Sequence, residues 1–253
     1  MKIRQLDEFF RNFLKLDDFS GVDNSLNGIQ VGNDDSGIRK IAFAVDACLE
    51  TFKRTAQSGA GMLFVHHGLF WGAPLRIEGI LHSRLDFLLK NNIALYAAHL
   101  PLDAHCEVGN NAVLSDLLDI RDRQPFGSYH GIKIGFKGRL GTPLTINEAA
   151  RKISFNGAPP SALYPFGNAE NHTCAVISGG APMEAAQAVE EGIDLYITGE
   201  SAHSIYHTAL EGKLNMIAGG HYATEVWGVR SLMERCKTVL NLDTEFIDAP
   251  TGL

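Results

Sequence analysis

Residues 41–65, IAFAVDACLETFKRTAQSGAGMLFV, decide the fold class. Ile41-Ala-Phe-Ala-Val45 is an unbroken apolar run, as expected of a strand covered on both faces. Ala47 to Ser58 then reads as a helix that stops at Gly59, and Met62-Leu-Phe-Val65 as the next buried strand. Strand, helix and strand joined by short connections make a βαβ unit, in which a right-handed crossover links parallel strands. Working outward, Leu81 to Lys90 reads as a helix and Ile93-Ala-Leu-Tyr-Ala-Ala98 as a third strand. Before the unit, Ile3, Leu6, Phe9, Phe10, Phe13 and Leu14 fall at spacings of three and four, which predicts a docked helix over Lys2 to Leu16.

The second half repeats this pattern. Cys174-Ala-Val-Ile177, a helix from Pro182 to Glu191 ended by Gly192, Asp194-Leu-Tyr-Ile-Thr198 and Leu214-Asn-Met-Ile-Ala218 follow in the same order. The strand that leads to His66-His67 in the first half leads to Gly199-Glu200 in the second. The strand that leads to His99-Leu-Pro-Leu-Asp103 has its counterpart before His221-Tyr-Ala-Thr-Glu225. Between the halves, Gln124 to Gly131 shows no clear periodicity and reads as a seam; Ile132 to Leu140 then reads as a strand, and Thr145 to Ile153 as a helix with a Thr cap and Glu148 at the capping-box position. The expected architecture is α/β: two similar α/β layers arising by duplication, with mixed or mostly parallel sheets flanked by helices. Residues 1–125 form the half carrying the His-His and Asp ligands, and 126–253 the half carrying the His/Glu ligands.

Ligands in open α/β sheets gather at the carboxyl ends of strands, and there stand His66, His67, Asp103, His221 and Glu225. Imidazole nitrogen and carboxylate oxygen suit Zn, Fe, Mn, Co or Ni, and a carboxylate can bridge two ions where an imidazole cannot. Side chains of two adjacent histidines are expected to diverge, each serving a different ion. Five protein ligands cannot saturate two divalent ions, so Asp103 or Glu225 bridges and positions remain for water. His99 and Glu200, the counterparts of His221 and His67, are the candidates for proton transfer or substrate contact. The Gly179-Gly180 pair reads as turn chemistry, and His82, His105, His130, His172, His203 and His207 as surface or core residues.

Bulk properties narrow the partners. The 253 residues are 45% hydrophobic and 20% charged, which favours a packed fold over disorder. The formal charge of -7, with no run of Lys or Arg, disfavours DNA or RNA as a partner. No apolar run is long enough to span a bilayer, and the first ten residues do not read as a signal peptide, so the expected location is cytoplasmic. Cys48, Cys106, Cys174 and Cys236 are scattered without Cys-x-x-Cys spacing, which argues for reduced thiols.

Asp23-Asn-Ser-Leu-Asn-Gly-Ile-Gln-Val31, Val65-His-His-Gly68, His99-Leu-Pro-Leu-Asp103, Thr198-Gly-Glu-Ser201 and Gly220-His-Tyr-Ala-Thr-Glu225 together resemble the YbgI-like, NGG-interacting-factor-like proteins, also called GTP cyclohydrolase 1 type 2 homologues. The resemblance runs nearly end to end. It implies a dinuclear centre held by His66, His67, Asp103, His221 and Glu225, with two divalent ions per subunit, and a toroidal homohexamer. It also implies a metal-dependent hydrolase acting on a nucleotide or related heterocycle. The alternative is a non-catalytic metal-binding, metal-delivery or scaffold protein.

Overall fold

The computed structural model describes all 253 residues, which divide into two compact units: Met1–Leu102 with Val229–Ala249, and Asp103–Gly228 with Pro250–Leu253.

The first unit contains α1 (Ile3–Leu14), β1 (Gly28–Val31), β2 (Lys40–Asp46), α2 (Leu49–Ser58), β3 (Met62–His67), α3 (Gly79–Lys90) and β4 (Ala94–Ala97). The chain leaves it through the short helix α4 (Leu100–Ala104). Strands β2, β3 and β4 are parallel, and nearly every residue in them is buried, as their unbroken apolar runs require. Helix α2 closes at Gly59, whose φ of 72° is the left-handed geometry a helix C-terminus favours in glycine. The predicted face of α1 is buried through Ile3, Leu6, Phe10 and Leu14. The Phe10 ring lies 5.0 Å from those of both Phe64 and Tyr96, and Tyr96 Oη donates to Asp7 Oδ1 at 3.1 Å.

The second unit contains α5 (Asn110–Leu117), β5 (Ile120–Tyr129), β6 (Ile132–Leu144), α6 (Ile146–Ile153), β7 (Ala162–Pro165), β8 (Asn171–Val176), α7 (Ala185–Glu190), β9 (Leu195–Thr198), α8 (Tyr206–Glu211) and β10 (Asn215–Ala218). The long helix α9 (His221–Leu240) starts in this unit and ends in the first, where β11 (Asp243–Phe246) follows. The stretch from Gln124 to Gly131, which shows no periodicity, is not a loop: most of it lies in β5, paired antiparallel with β6 across a register shift between Arg121 and Gln124. The helix expected from Pro182 begins as a 3-10 turn, Pro182–Glu184, before α7. Helix α6 has its predicted capping box: Thr145 Oγ1 accepts from Glu148 N, and the Glu148 carboxylate accepts from Thr145 N.

The sheet orders are β1-β4-β3-β2-β11 and β5-β6-β8-β9-β10-β7. Each contains the same four-strand pattern. β2-β3-β4 and β8-β9-β10 are parallel triplets in chain order, and β1 and β7, the strands preceding them, each pair antiparallel with the last of the triplet. This is the expected pair of similar α/β layers with mixed sheets, the first mostly parallel and the second parallel only within its triplet. No helix is long and apolar enough to cross a membrane.

Candidate metal site

In the first unit, β3 ends at His66-His67 and His99 stands two residues beyond the end of β4, so parallel pairing brings three imidazoles together at the carboxyl ends of neighbouring strands. Their ligand nitrogens lie within 4.8 Å of one another. The adjacent rings of His66 and His67 do not diverge; their centroids are 4.6 Å apart. Both are the last residues of β3, and their Nδ1 anchors, Ala98 O beyond β4 and Asp46 Oδ1 at the end of β2, hold the two rings at the same strand ends.

Each imidazole is fixed through Nδ1. His66 Nδ1 donates to Ala98 O at 3.0 Å, His67 Nδ1 to Asp46 Oδ1 at 2.8 Å, and His99 Nδ1 to Asp23 Oδ1 at 2.9 Å. These partners are acceptors, so the proton sits on Nδ1 and the lone pair on Nε2, the tautomer in which an imidazole binds a cation through Nε2. Asp23 is itself built in: its carboxylate also accepts from Ser25 N, Asn27 Nδ2 and Leu100 N at the start of α4. Burial pushes its pKa upward, but the hydrogen bond and charge of His99, together with those other donors, hold it below the usual carboxylate value. The Trp71 ring closes one side of the cluster, 4.9 Å from His99 and 6.1 Å from His67.

In the second unit, His221 and Glu225 occupy the first turns of α9, one helical turn apart, with His221 Nε2 and Glu225 Oε2 separated by 3.3 Å. His221 Nδ1 is 2.6 Å from Glu200 Oε1, just after β9. The hydrogen bond to Glu225, opposed by burial and aided by Glu200, raises the His221 pKa to about 9. Asp103, at the start of this unit, is buried, and its Oδ1 accepts from Asn110 Nδ2 and Ser178 Oγ, both at 2.9 Å. Carboxylate oxygens of Asp103 and Glu225 come within 4.8 Å of each other. Two buried carboxylates this close repel unless positive charge lies between them. The donor set therefore fits divalent cations in both units: oriented imidazoles in one, paired acidic oxygens and an imidazole in the other.

The model of the family Duf34/NIF3 (NGG1p interacting factor 3) matches residues 1–251. The chain belongs to this family. Among curated DUF34/NIF3 relatives, proteins named GTP cyclohydrolase 1 type 2 homolog from Archaeoglobus fulgidus and Deinococcus radiodurans are 41% and 42% identical. The first match covers all of both chains, and the second covers 91% of this chain and 88% of the relative. Among solved structures, protein ybgI, described as of unknown function, superposes with a TM-score of 0.92 at 34% identity over the whole of both chains. TTHA1606 from Thermus thermophilus gives 0.87 at 36%, also over both whole chains.

This DUF34/NIF3 chain shows why Gly179 stands where it does. Its φ is 66°, and a Cβ there would lie 2.2 Å from Glu225 Oε1 and 3.3 Å from His221 Nε2. The Gly179-Gly180 turn thus makes room for the side chains of α9. Its carbonyl is clamped by Gly199 N and Glu200 N at 2.9 and 3.1 Å, which ties the turn to the segment carrying Glu200. Sequence reading missed Asp46, Asn110, Ser178 and Trp71. Of these Asp46 and Ser178, each of which follows a predicted strand as the ligands do, had a positional signal. His82, His130, His172, His203 and His207 are exposed, and they join no cluster of three metal-ligating groups.

Proposed function

We propose that this DUF34/NIF3 member is a metal-dependent hydrolase acting on a nucleotide or related heterocycle, with two divalent ions held by His66, His67, Asp103, His221 and Glu225. The observation that carries the reading is the anchoring of His66, His67 and His99 through Nδ1 to acceptors, which sets the tautomer that presents Nε2 of each as a ligand atom. The names of the curated relatives supply the substrate class. A divalent ion pair held by this donor set would supply Lewis acidity, to lower the pKa of water and to polarise an electrophilic carbon or phosphorus centre.

The chain's own residues do the rest. Asp46 and Asp23 hold the Nδ1 protons of His67 and His99, and Asn110 and Ser178 fix one oxygen of Asp103. Glu200 orients His221 through Oε1; with about half its side chain exposed, it is also placed to exchange a proton with solvent or substrate. His99 is the second candidate for that role. We further infer a cytoplasmic, ring-shaped homohexamer, which sedimentation would report as six times the 27.5 kDa chain.

The test is turnover of GTP and a nucleotide panel by metal-loaded protein beside His67→Ala. Turnover that depends on metal and is lost in the variant supports the hydrolase. Equal turnover by both removes it. Tight metal binding without turnover of any member of the panel replaces it with a metal-binding, delivery or scaffold role.

A further inference from the structure

Leu69 and Phe70 turn into the core of the first unit, whereas the next residue, Trp71, does not: the residue remains 38% exposed. A single exposed apolar side chain is ordinary. This one is held in place. Its backbone bridges Ser25, Leu26 N donates to Phe70 O at 3.0 Å, and Nε1 donates to Gly68 O at 3.0 Å. The ring meets His99 edge to face, at 77° and 4.9 Å.

Two consequences follow from these contacts. The indole is pre-organised, so little conformational freedom is lost when something packs on it. Its only hydrogen-bonding group is already engaged by Gly68, so the exposed part offers a π surface and no polar handle. Such a surface recognises flat rings. Every nucleobase has a π face, so the surface is open to any purine. The indole lies 4.9 Å from His99 and 6.1 Å from His67 between centroids, so a ring stacked on it at about 4.5–7 Å stays in the neighbourhood of the histidine cluster.

We propose that Trp71 is the stacking platform for the substrate's planar heterocycle, holding that ring beside the histidines of the first unit. This rests on the reading of the protein as a hydrolase of a nucleotide or heterocycle, and it names the part of the substrate that is gripped. Recognition then lies in the base, and a sugar or phosphate without a base is a poor ligand.

The chain has two tryptophans, Trp71 and Trp227, so Trp227→Phe leaves Trp71 as the only indole emitter. Guanosine and adenosine are titrated into this protein, with ribose 5-phosphate as the ring-free control, both after chelation and after metal loading. The expected result is saturable quenching by at least one nucleoside and none by ribose 5-phosphate. Equilibrium dialysis of that nucleoside against otherwise native protein should give binding about tenfold weaker in Trp71→Ala, the equivalent of about 1.4 kcal/mol, with Trp71→Phe in between. Circular dichroism melts of all variants establish that they are folded. Absence of quenching by both nucleosides, or parental affinity in folded Trp71→Ala, overturns the platform. Nucleoside binding that depends on Trp71 without any turnover leaves the platform standing and removes the hydrolase. Turnover with an unchanged KM in Trp71→Ala does the reverse.

Discussion

Asp46 and His67 face each other across the paired strands β2 and β3, and Asp46 Oδ1 lies 2.8 Å from His67 Nδ1. The carboxylate cannot reach a metal through this contact; it sets the tautomer and orientation of a residue that can. Losing such a partner commonly costs about 10–100-fold in metal affinity. Asp46→Ala is therefore expected to weaken zinc binding by that factor. The fold should persist, because Asp46 sits at a strand end with about a third of its side chain exposed. Competition titration with a chromophoric chelator measures the affinity, and unchanged affinity would show that His67 needs no orientation.

Gly179 and Gly192 share a φ of 66°, but only Gly179 has neighbours where a Cβ would stand. Alanine at either position carries the same backbone strain, about 1–3 kcal/mol. Gly179→Ala additionally forces Glu225 to move. The expected outcome is similar backbone destabilisation in both variants, with loss of bound metal only in Gly179→Ala. Elemental analysis of the purified proteins reads this directly.

Asn110 is fully buried, donates to Asp103 Oδ1 at 2.9 Å and accepts from Gly228 N at 2.7 Å. Asn110→Ala leaves a main-chain donor and one side of a carboxylate without this partner, at an expected cost of about 2–3 kcal/mol. Ser178→Ala removes a single hydrogen bond to the same oxygen and should cost about 1 kcal/mol. Urea midpoints of the two variants, with equal slopes, give the comparison. A milder effect in Asn110→Ala than in Ser178→Ala would contradict it.

What could be read from the sequence divides along physical lines. Strands β2, β3, β4, β8, β9 and β10 are buried on both faces or nearly so, and burial writes itself into continuous apolar runs. Strands β1, β7 and β11 are four-residue edge strands that include Gln30, Pro165 or Glu245. Their conformation is imposed by the neighbour they pair with, not by their own pattern. β5 carries Arg121, Asp122, Arg123 and Gln124 and owes its extended form to β6. The same division holds at the site. The metal-ligating residue types announce themselves as short motifs after strands. Their anchors come from afar: Asp23 is 76 residues from His99, and Ser178 is 75 from Asp103. Strand register and loop packing make those pairs, and spacing along the chain carries no trace of them.

Asp23 gathers four donors, with Ser25 N and His99 Nδ1 on Oδ1, and Asn27 Nδ2 and Leu100 N on Oδ2. Its folded pKa is depressed below 3.8, although burial alone would raise it, because hydrogen bonding and the charge of His99 favour the ionised form. By linkage, a carboxylate depressed in the folded state contributes stability above its unfolded pKa and loses it as the pH falls through 3.8 toward the folded value. Asp23→Asn replaces one acceptor oxygen with an amide that must face two of the donors, so the variant should be less stable than the parent by about 3 kcal/mol near pH 7. That deficit should shrink as the pH drops from about 5 toward 3, because the parent is then losing what the variant never had. Denaturant titrations of both proteins from about pH 7 to about pH 3 measure the difference. A deficit that stays constant over the whole range would mean that Asp23 stabilises the segment by shape alone and not by its charge.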